Sequence, residues 1–355
     1  MLVYTDSSHY SVQYRNELFD FLKAFFNDLS PEERSKSYGA WTKSVIFTDD
    51  PRRAALAVLP MSWNFYLKNG KVALAMDFIR KASSCRLVSW VNSDFGVPVL
   101  YREGEIFRAS GYQSRRLPGQ WAMPPFFMDP LERIYSRTSI FPRKKIEKPT
   151  VGFCGQAGGT WMKYAVDIAR IAGRNTAFYT KLRVDEPQAI LSAAWLRNKA
   201  LDLLEGEPGV ETRFIRRYKY RAGARDRKEA EQTTLEFFDN IQGTDYTLCV
   251  RGGGNFSVRL YETLAMGRIP VFIDTDSILP WDDIIPWKEI MVYVPIKDLR
   301  CLPQILLDFH NEIHPDDFVE QQQKARKLWL EHLSFAGFFK TFIEKYSFGM
   351  HEQEN

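Results

Sequence analysis

Between Tyr246 and Asp274 the chain reads YTLCVRGGGNFSVRLYETLAMGRIPVFID. The apolar or β-prone residues Thr247 to Val250 run into an arginine and three glycines. Asn255, Ser257, an amphipathic helical stretch, Gly267 and a second apolar run follow. A short run that is apolar on every side chain suits a strand buried on both faces, the environment of a parallel sheet covered by helices. Strand, loop, helix and strand in immediate succession leave few alternatives to a βαβ unit.

The alternation recurs along the chain. AALAVLP (Ala54–Pro60) and CRLVSWV (Cys85–Val91) read as buried strands, with the helical stretch KVALAMDFIRKA between them. NELFDFLKAFFNDL (Asn16–Leu29) spaces Leu18, Phe21, Leu22, Phe25 and Phe26 at helical intervals, which predicts a helix there. A basic, proline-containing segment, Phe141–Thr150, reads as a linker, and VGFCGQAGGT restarts the strand-then-glycine pattern after it. AWLRNKALDLLEG and TTLEFFDNIQG read as helices ended by Gly206 and Gly243. The expected organisation is an N-terminal α/β domain over residues 1–147, a second over 148–320, and helices over 321–355 that pack back toward the first.

At 355 residues two ordinary domains can each bury a core. A net charge of +4 tolerates anionic ligands without demanding nucleic acid. Cys85, Cys154, Cys249 and Cys301 are widely spaced with no CxxC pair, which argues against a disulfide framework or a zinc site. The N-terminus lacks the apolar core of a signal peptide and no apolar run is long enough to span a bilayer. A soluble, cytoplasmic protein is therefore expected.

In open α/β sheets ligands bind beyond the carboxyl ends of the strands, where RGGGNFS falls. Glycines permit close backbone approach and positive φ, and the free N–H groups of the following helix favour an anion. Ser257 is placed to cap that helix, and Arg251 and Arg259 to contact a pyrophosphate. Glu262, three residues after Arg259, is placed to accept the hydroxyls of a ribose. On these residues alone, a flexible turn with a solvated glutamate competes on even terms. Neither a P-loop nor a GxGxxG fingerprint is present.

The stretch LCVRGGGNFSVRLYETLAMGRIPVFIDTDSILPWDDIIPWKEIMVYVP closely resembles the C-terminal signature of exostosin-like glycosyltransferases, glycosyltransferase family 47. Arg251, Gly252, Gly254, Ser257, Arg259, Tyr261, Glu262, Gly267, Ile269, Pro270 and Val271 match it in order. A weaker resemblance covers LVSWVNSDFG, where Ser93 stands for the family's usual histidine, VGFCGQAGG, and the helix carrying Arg197.

The resemblance implies a GT-B fold, two Rossmann-like domains facing one cleft, with the nucleotide sugar on the C-terminal domain and the glycan acceptor on the N-terminal one. It implies an inverting transfer that requires no cofactor or metal. Arg251, Arg259 and Arg197 would then stabilise the departing diphosphate, supported by Ser257, Asn255 and the backbone of Gly252, Gly253 and Gly254. Glu262 would hold the ribose and Asp274 would lie in the acidic loop near sugar or base. A UDP-sugar is the expected donor, with UDP-xylose, UDP-glucuronate and UDP-galactose among the candidates. Inversion also needs a general base. Asp94 in NSDFG, after an apolar run and before a glycine turn, is the first candidate, and Asp6 and His9, following LVY, come next. A non-catalytic sugar- or nucleotide-binding subunit remains the competing class.

Three other signals carry less. Asp274 and Asp276 form an Asp-Thr-Asp that suits Mg²⁺, but the resembled family has acidic loop residues there without a required metal. Arg213–Lys228 carries eight basic residues against one acidic, yet the overall charge disfavours nucleic acid. His310, His314, His332 and His351 lack ligand spacing.

Overall fold

A computed structural model describes residues 1–218, 223 and 226–348. Six parallel strands, β1 (Leu2–Tyr4), β2 (Ile46–Thr48), β3 (Leu56–Val58), β4 (Arg86–Val91), β5 (Glu105–Arg108) and β6 (Gln120–Ala122), form one sheet in the order β2-β1-β3-β4-β5-β6. Five more, β7 (Thr150–Gln156), β8 (Glu211–Arg217), β9 (Tyr246–Cys249), β10 (Ile269–Asp274) and β11 (Val292–Pro295), form a second in the order β11-β10-β9-β7-β8. Both are parallel throughout. Their strands reverse direction of progression beside the first strand of each domain, the doubly wound pattern that opens a crevice at that point.

The apolar runs become strands because both faces are covered. All of β9 and the first five residues of β10 are buried, and each large aliphatic side chain so placed contributes roughly 1.5–3 kcal/mol. Strand β7 pairs with β8 over seven residue pairs but with β9 over only Val151–Tyr246 and Gly152–Thr247. Beyond Gly152 the two central strands therefore part, leaving carbonyl groups that other donors must satisfy.

The helix expected over Asn16–Leu29 is not formed; its α-helical part is the single turn Asp20–Lys23. Leu18 bridges to Met61, Phe19 N donates to Pro60 O and Ser62 N to Glu17 O. These long-range bonds replace the local helical ladder, and Leu18, Phe19, Phe21 and Leu22 are all fully buried. Pairing with distant segments outweighs the local helical period here.

Helices Phe318–Leu328 and Phe335–Phe348 end the described chain, and His351 lies outside the described residues. Phe338, Phe339 and Phe342 insert among Phe19, Phe21 and Phe107 of the first domain. Arg326 pairs with Asp129 and donates 2.7 Å to the Ala265 carbonyl, so this crossing segment touches both domains. No helix among the described residues is long and apolar enough to cross a membrane.

Candidate functional site

The gap between β7 and β9 is filled by arginines. Arg197, on helix Ala193–Glu205, donates to Gln156 O at 2.9 Å and Arg251 O at 2.7 Å, tying the ends of the two strands together. Arg259, in the first turn of helix Val258–Ala265, donates to Cys154 O at 2.8 Å and Leu248 O at 3.4 Å, on the same two strands. Gly155 makes room for it, since a Cβ there would lie 2.5 Å from the Arg259 guanidinium. Arg251 points toward the first domain. It is buried and donates to the Tyr112 hydroxyl at 3.2 Å and Gln188 Oε1 at 3.1 Å.

Among the described residues none of these three arginines has an ion-pair partner within 4.0 Å. Burial, then the charge of Arg259, pushes Arg197 down to about 10, and burial lowers Arg259 as well. At about 10, Arg197 stays protonated at neutral pH. Carbonyl groups satisfy some of the N–H donors of both, and the Arg259 Nε has no partner. Positive charge gathered at a strand crevice with no carboxylate in ion-pair contact is favourable to an anion.

The glycine loop meets the other domain. A Cβ on Gly254 would lie 1.7 Å from the Asp94 carbonyl oxygen, and one on Gly253 would lie 3.5 Å from the Phe95 ring. None of Gly252, Gly253 and Gly254 has positive φ. The expectation of positive φ is corrected: at Gly254 the missing side chain serves close approach between domains. Ser257 stands at the N-cap, but its side chain accepts no bond from the helix, so capping by its hydroxyl is also corrected. The Leu260 amide turns back to Ser257 O at 3.2 Å, which leaves the earlier amides of this first turn for another acceptor.

Asn255 is consumed by structure. Its Nδ2 donates to Gly111 O at 2.9 Å, Thr275 O at 3.1 Å and Asp276 O at 3.0 Å; its Oδ1 accepts from Thr275 Oγ1 at 2.6 Å, and its N–H donates to Ser110 Oγ at 2.9 Å. The residue is fully buried and staples the two domains. Asp274 accepts from Ser277 N at 2.8 Å and from the Tyr293 hydroxyl, while Asp276 accepts from Ser114 across the domain boundary. Both carboxylates of the Asp-Thr-Asp thus close local turns or domain contacts.

Glu262 is half-buried and makes no side-chain hydrogen bond among those described. Burial pushes its carboxyl up to about 7, against the smaller opposing pull of Arg259 and Arg133.

In the first domain, Asp94 follows β4, is exposed, and its backbone touches Gly254. Asp6 and His9 lie after β1, two strands away in sheet order. Asp6 accepts from Ser8, which lowers its pKa, and stands 3.7 Å from His9. His9 is buried 2.7 Å from the Tyr66 hydroxyl, and burial lowers its pKa. The structure brings Asp94, and not this pair, to the glycine loop.

Sequence reading missed Tyr112 and Gln188, which orient Arg251. It also missed Glu17, which accepts from Ser62, from Asn64 at 3.2 Å and from Asn92 at 3.4 Å beside the ends of β3 and β4. These are single polar residues in unpatterned loops, and only their convergence marks them. Of the basic stretch Arg213–Lys228, residues 219–222 and 224–225 lie outside the described residues. Arg213, Arg216, Arg217 and Arg227 pair with carboxylates of their own domain.

Residues 192–309 match the family model described as the Exostosin GT47 domain. No curated protein matches the chain. Among solved structures, a point mutant of S. aureus TarM in complex with Fondaparinux, alpha-GlcNAc-glycerol and UDP is similar at 9% identity and a TM-score of 0.35. That match covers 82% of this chain and 55% of the other. A second TarM structure is similar at 8% identity and a TM-score of 0.34, over 82% and 54%. The chain spans about half the length of the solved structures it matches.

Proposed function

We propose, on the match of residues 192–309 to the Exostosin GT47 domain model, that the chain is an inverting, metal-independent glycosyltransferase. It takes a nucleoside-diphosphate sugar, a UDP-sugar first, and delivers the sugar to a glycan hydroxyl. The observation that carries this reading is the set of arginines, buried Arg251 with half-buried Arg197 and Arg259, gathered without carboxylate partners beside a helix start that no side chain caps.

In this reading the diphosphate lies against Arg251 and the first amide groups of helix Val258–Ala265. Arg197 and Arg259 act from behind through their fields, because carbonyl groups already hold their guanidiniums. Glu262 takes the ribose hydroxyls. Asp94 accepts the proton of the acceptor hydroxyl as that oxygen bonds to the anomeric carbon. The bond from that carbon to the phosphate oxygen breaks on the opposite face, and the diphosphate leaves with the electron pair. Positive charge and helix N–H groups supply the leaving-group stabilisation for which other transferases use a cation.

Calorimetric titration with UDP tests the site. Arg251→Ala should weaken binding by about tenfold to a hundredfold, the worth of a charged hydrogen bond. Absence of binding by UDP and by every other nucleoside diphosphate would overturn the reading. Thermal-shift screening with UDP-xylose, UDP-glucuronate and UDP-galactose ranks the donors, and transfer that stops in EDTA and returns with Mn²⁺ refutes metal independence. Binding without transfer to any glycan indicates the non-catalytic subunit.

A further inference from the structure

Helix Trp161–Tyr179, the first after β7, runs for nineteen residues without a single buried residue. Its inward side presents partly covered Tyr164, Asp167, Ile171, Arg174 and Phe178. Its outward side carries Trp161, Met162, Val166 and Ile168 along the first half, Tyr179 is exposed at its end, and Leu182 follows. Trp161 is 77% exposed, Tyr179 72% and Leu182 81%. An apolar stripe of this length on an outer face is unusual for a surface that meets only water.

The charge beside the stripe indicates what covers it. From Trp161 to Asp185 the segment carries Lys163, Arg170, Arg174, Lys181 and Arg183 against Asp167 and Asp185. Arg170, Arg174, Lys181 and Arg183, with Lys68 of the first domain, line a cavity of about 740 Å³ whose acidic lining residue is Asp185. Asp185 pairs with Arg183 at 3.1 Å and Arg174 at 3.7 Å, which leaves the wall net positive. Burial and the charge of Arg183 lower the pKa of Arg174.

We propose that this helix is a membrane-surface anchor: its Trp161–Ile168–Tyr179–Leu182 stripe enters the boundary of an anionic bilayer, and the adjoining basic cavity takes lipid phosphate. An amphipathic helix with aromatic residues on its apolar side and lysine and arginine beside it lies in the plane of such an interface. A second copy of the chain would bring the same positive wall against itself, so charge complementarity favours the bilayer. Phe95 lines the cavity and also packs near Gly253, so an anchored chain holds the cleft close to the lipid surface. The inference stands apart from the transferase reading, since it needs no nucleotide.

Co-sedimentation of the full chain with vesicles of phosphatidylcholine alone, or mixed with phosphatidylglycerol, tests it. The wild type should bind the mixed vesicles and release them in high salt, with tryptophan emission moving to the blue. Trp161→Glu with Ile168→Glu, and separately Lys181→Glu with Arg183→Glu, should each weaken vesicle binding about tenfold or more while UDP titration stays unchanged. Equal binding to neutral and anionic vesicles, or undiminished binding by either double variant, overturns the proposal. So does a dimer in sedimentation velocity that Trp161→Glu dissolves, because the stripe then belongs to a second copy.

Discussion

Replacing Gly254 by alanine separates two explanations of the glycine run. If the glycines served only backbone freedom, all three would respond alike. The structure instead puts a Gly254 Cβ at 1.7 Å from the Asp94 carbonyl oxygen, whereas at Gly252 the nearest atom, Phe256 O, is 3.9 Å away. Carbon and carbonyl oxygen approach to about 3.3 Å at closest, so Gly254→Ala must push the two domains apart locally by roughly 1.5 Å. No flexible side chain can yield, because the obstacle is backbone. Overpacking of this kind costs about 1–3 kcal/mol. The displaced segment also carries the Asn255 N–H bond to Ser110, 2.9 Å long, whose loss adds about 1 kcal/mol. The expected loss is therefore about 2–4 kcal/mol. Gly252→Ala, at a negative φ with open space, should be neutral or stabilise by up to about 1 kcal/mol through the unfolded chain. Urea unfolding of the two variants, with UDP titration alongside, measures the contrast. Equal stability of Gly252→Ala and Gly254→Ala would refute the close-approach argument.

Glu262 predicts a pH effect. Its folded pKa of about 7 lies above the ordinary value of 4.5, so between those values the folded chain holds a proton that the unfolded chain has released. Stability from this group is present below about pH 4.5 and declines as pH rises through 7, by at most about 3 kcal/mol. Denaturant midpoints across that range should fall less steeply in Glu262→Gln. Asn255→Ala removes one amide that serves three carbonyl groups and one hydroxyl, and should destabilise by about 2–4 kcal/mol in urea unfolding, while Asn255→Asp fails to rescue because it lacks the N–H donors. Asp94→Asn should lower kcat by about 10²–10⁴ with UDP affinity unchanged, and a parallel loss of UDP binding would show that the side chain supports the loop instead.

Much of the architecture is legible in the chain because burial on both faces leaves a local mark. The runs at Leu56–Val58, Arg86–Val91 and Tyr246–Cys249 are strands where the apolar pattern puts them. The Asn16–Leu29 segment shows the limit of that signal, since bonds from Phe19 to Pro60 and from Ser62 to Glu17, far apart in the chain, override its helical spacing. Arg251 is legible as charge beside glycine at a strand end, and a motif in sequence order ties it to Arg259. What each guanidinium does is not legible, because it depends on where β7 and β9 part. Arg197 and Arg259 satisfy stranded carbonyl groups there, and Arg251 crosses to Tyr112 and Gln188, far away in the chain.

By itself, then, the sequence determined two parallel α/β domains and the glycine-loop signature from Arg251 to Val271, all written in neighbouring residues. Tertiary structure alone decided that Asn255 is a domain staple, that Gly254 exists for the sake of Asp94, and that an apolar stripe is left bare on Trp161–Tyr179. Each of these is a relation between segments far apart in the chain, or the absence of one, and local chemistry holds no record of either.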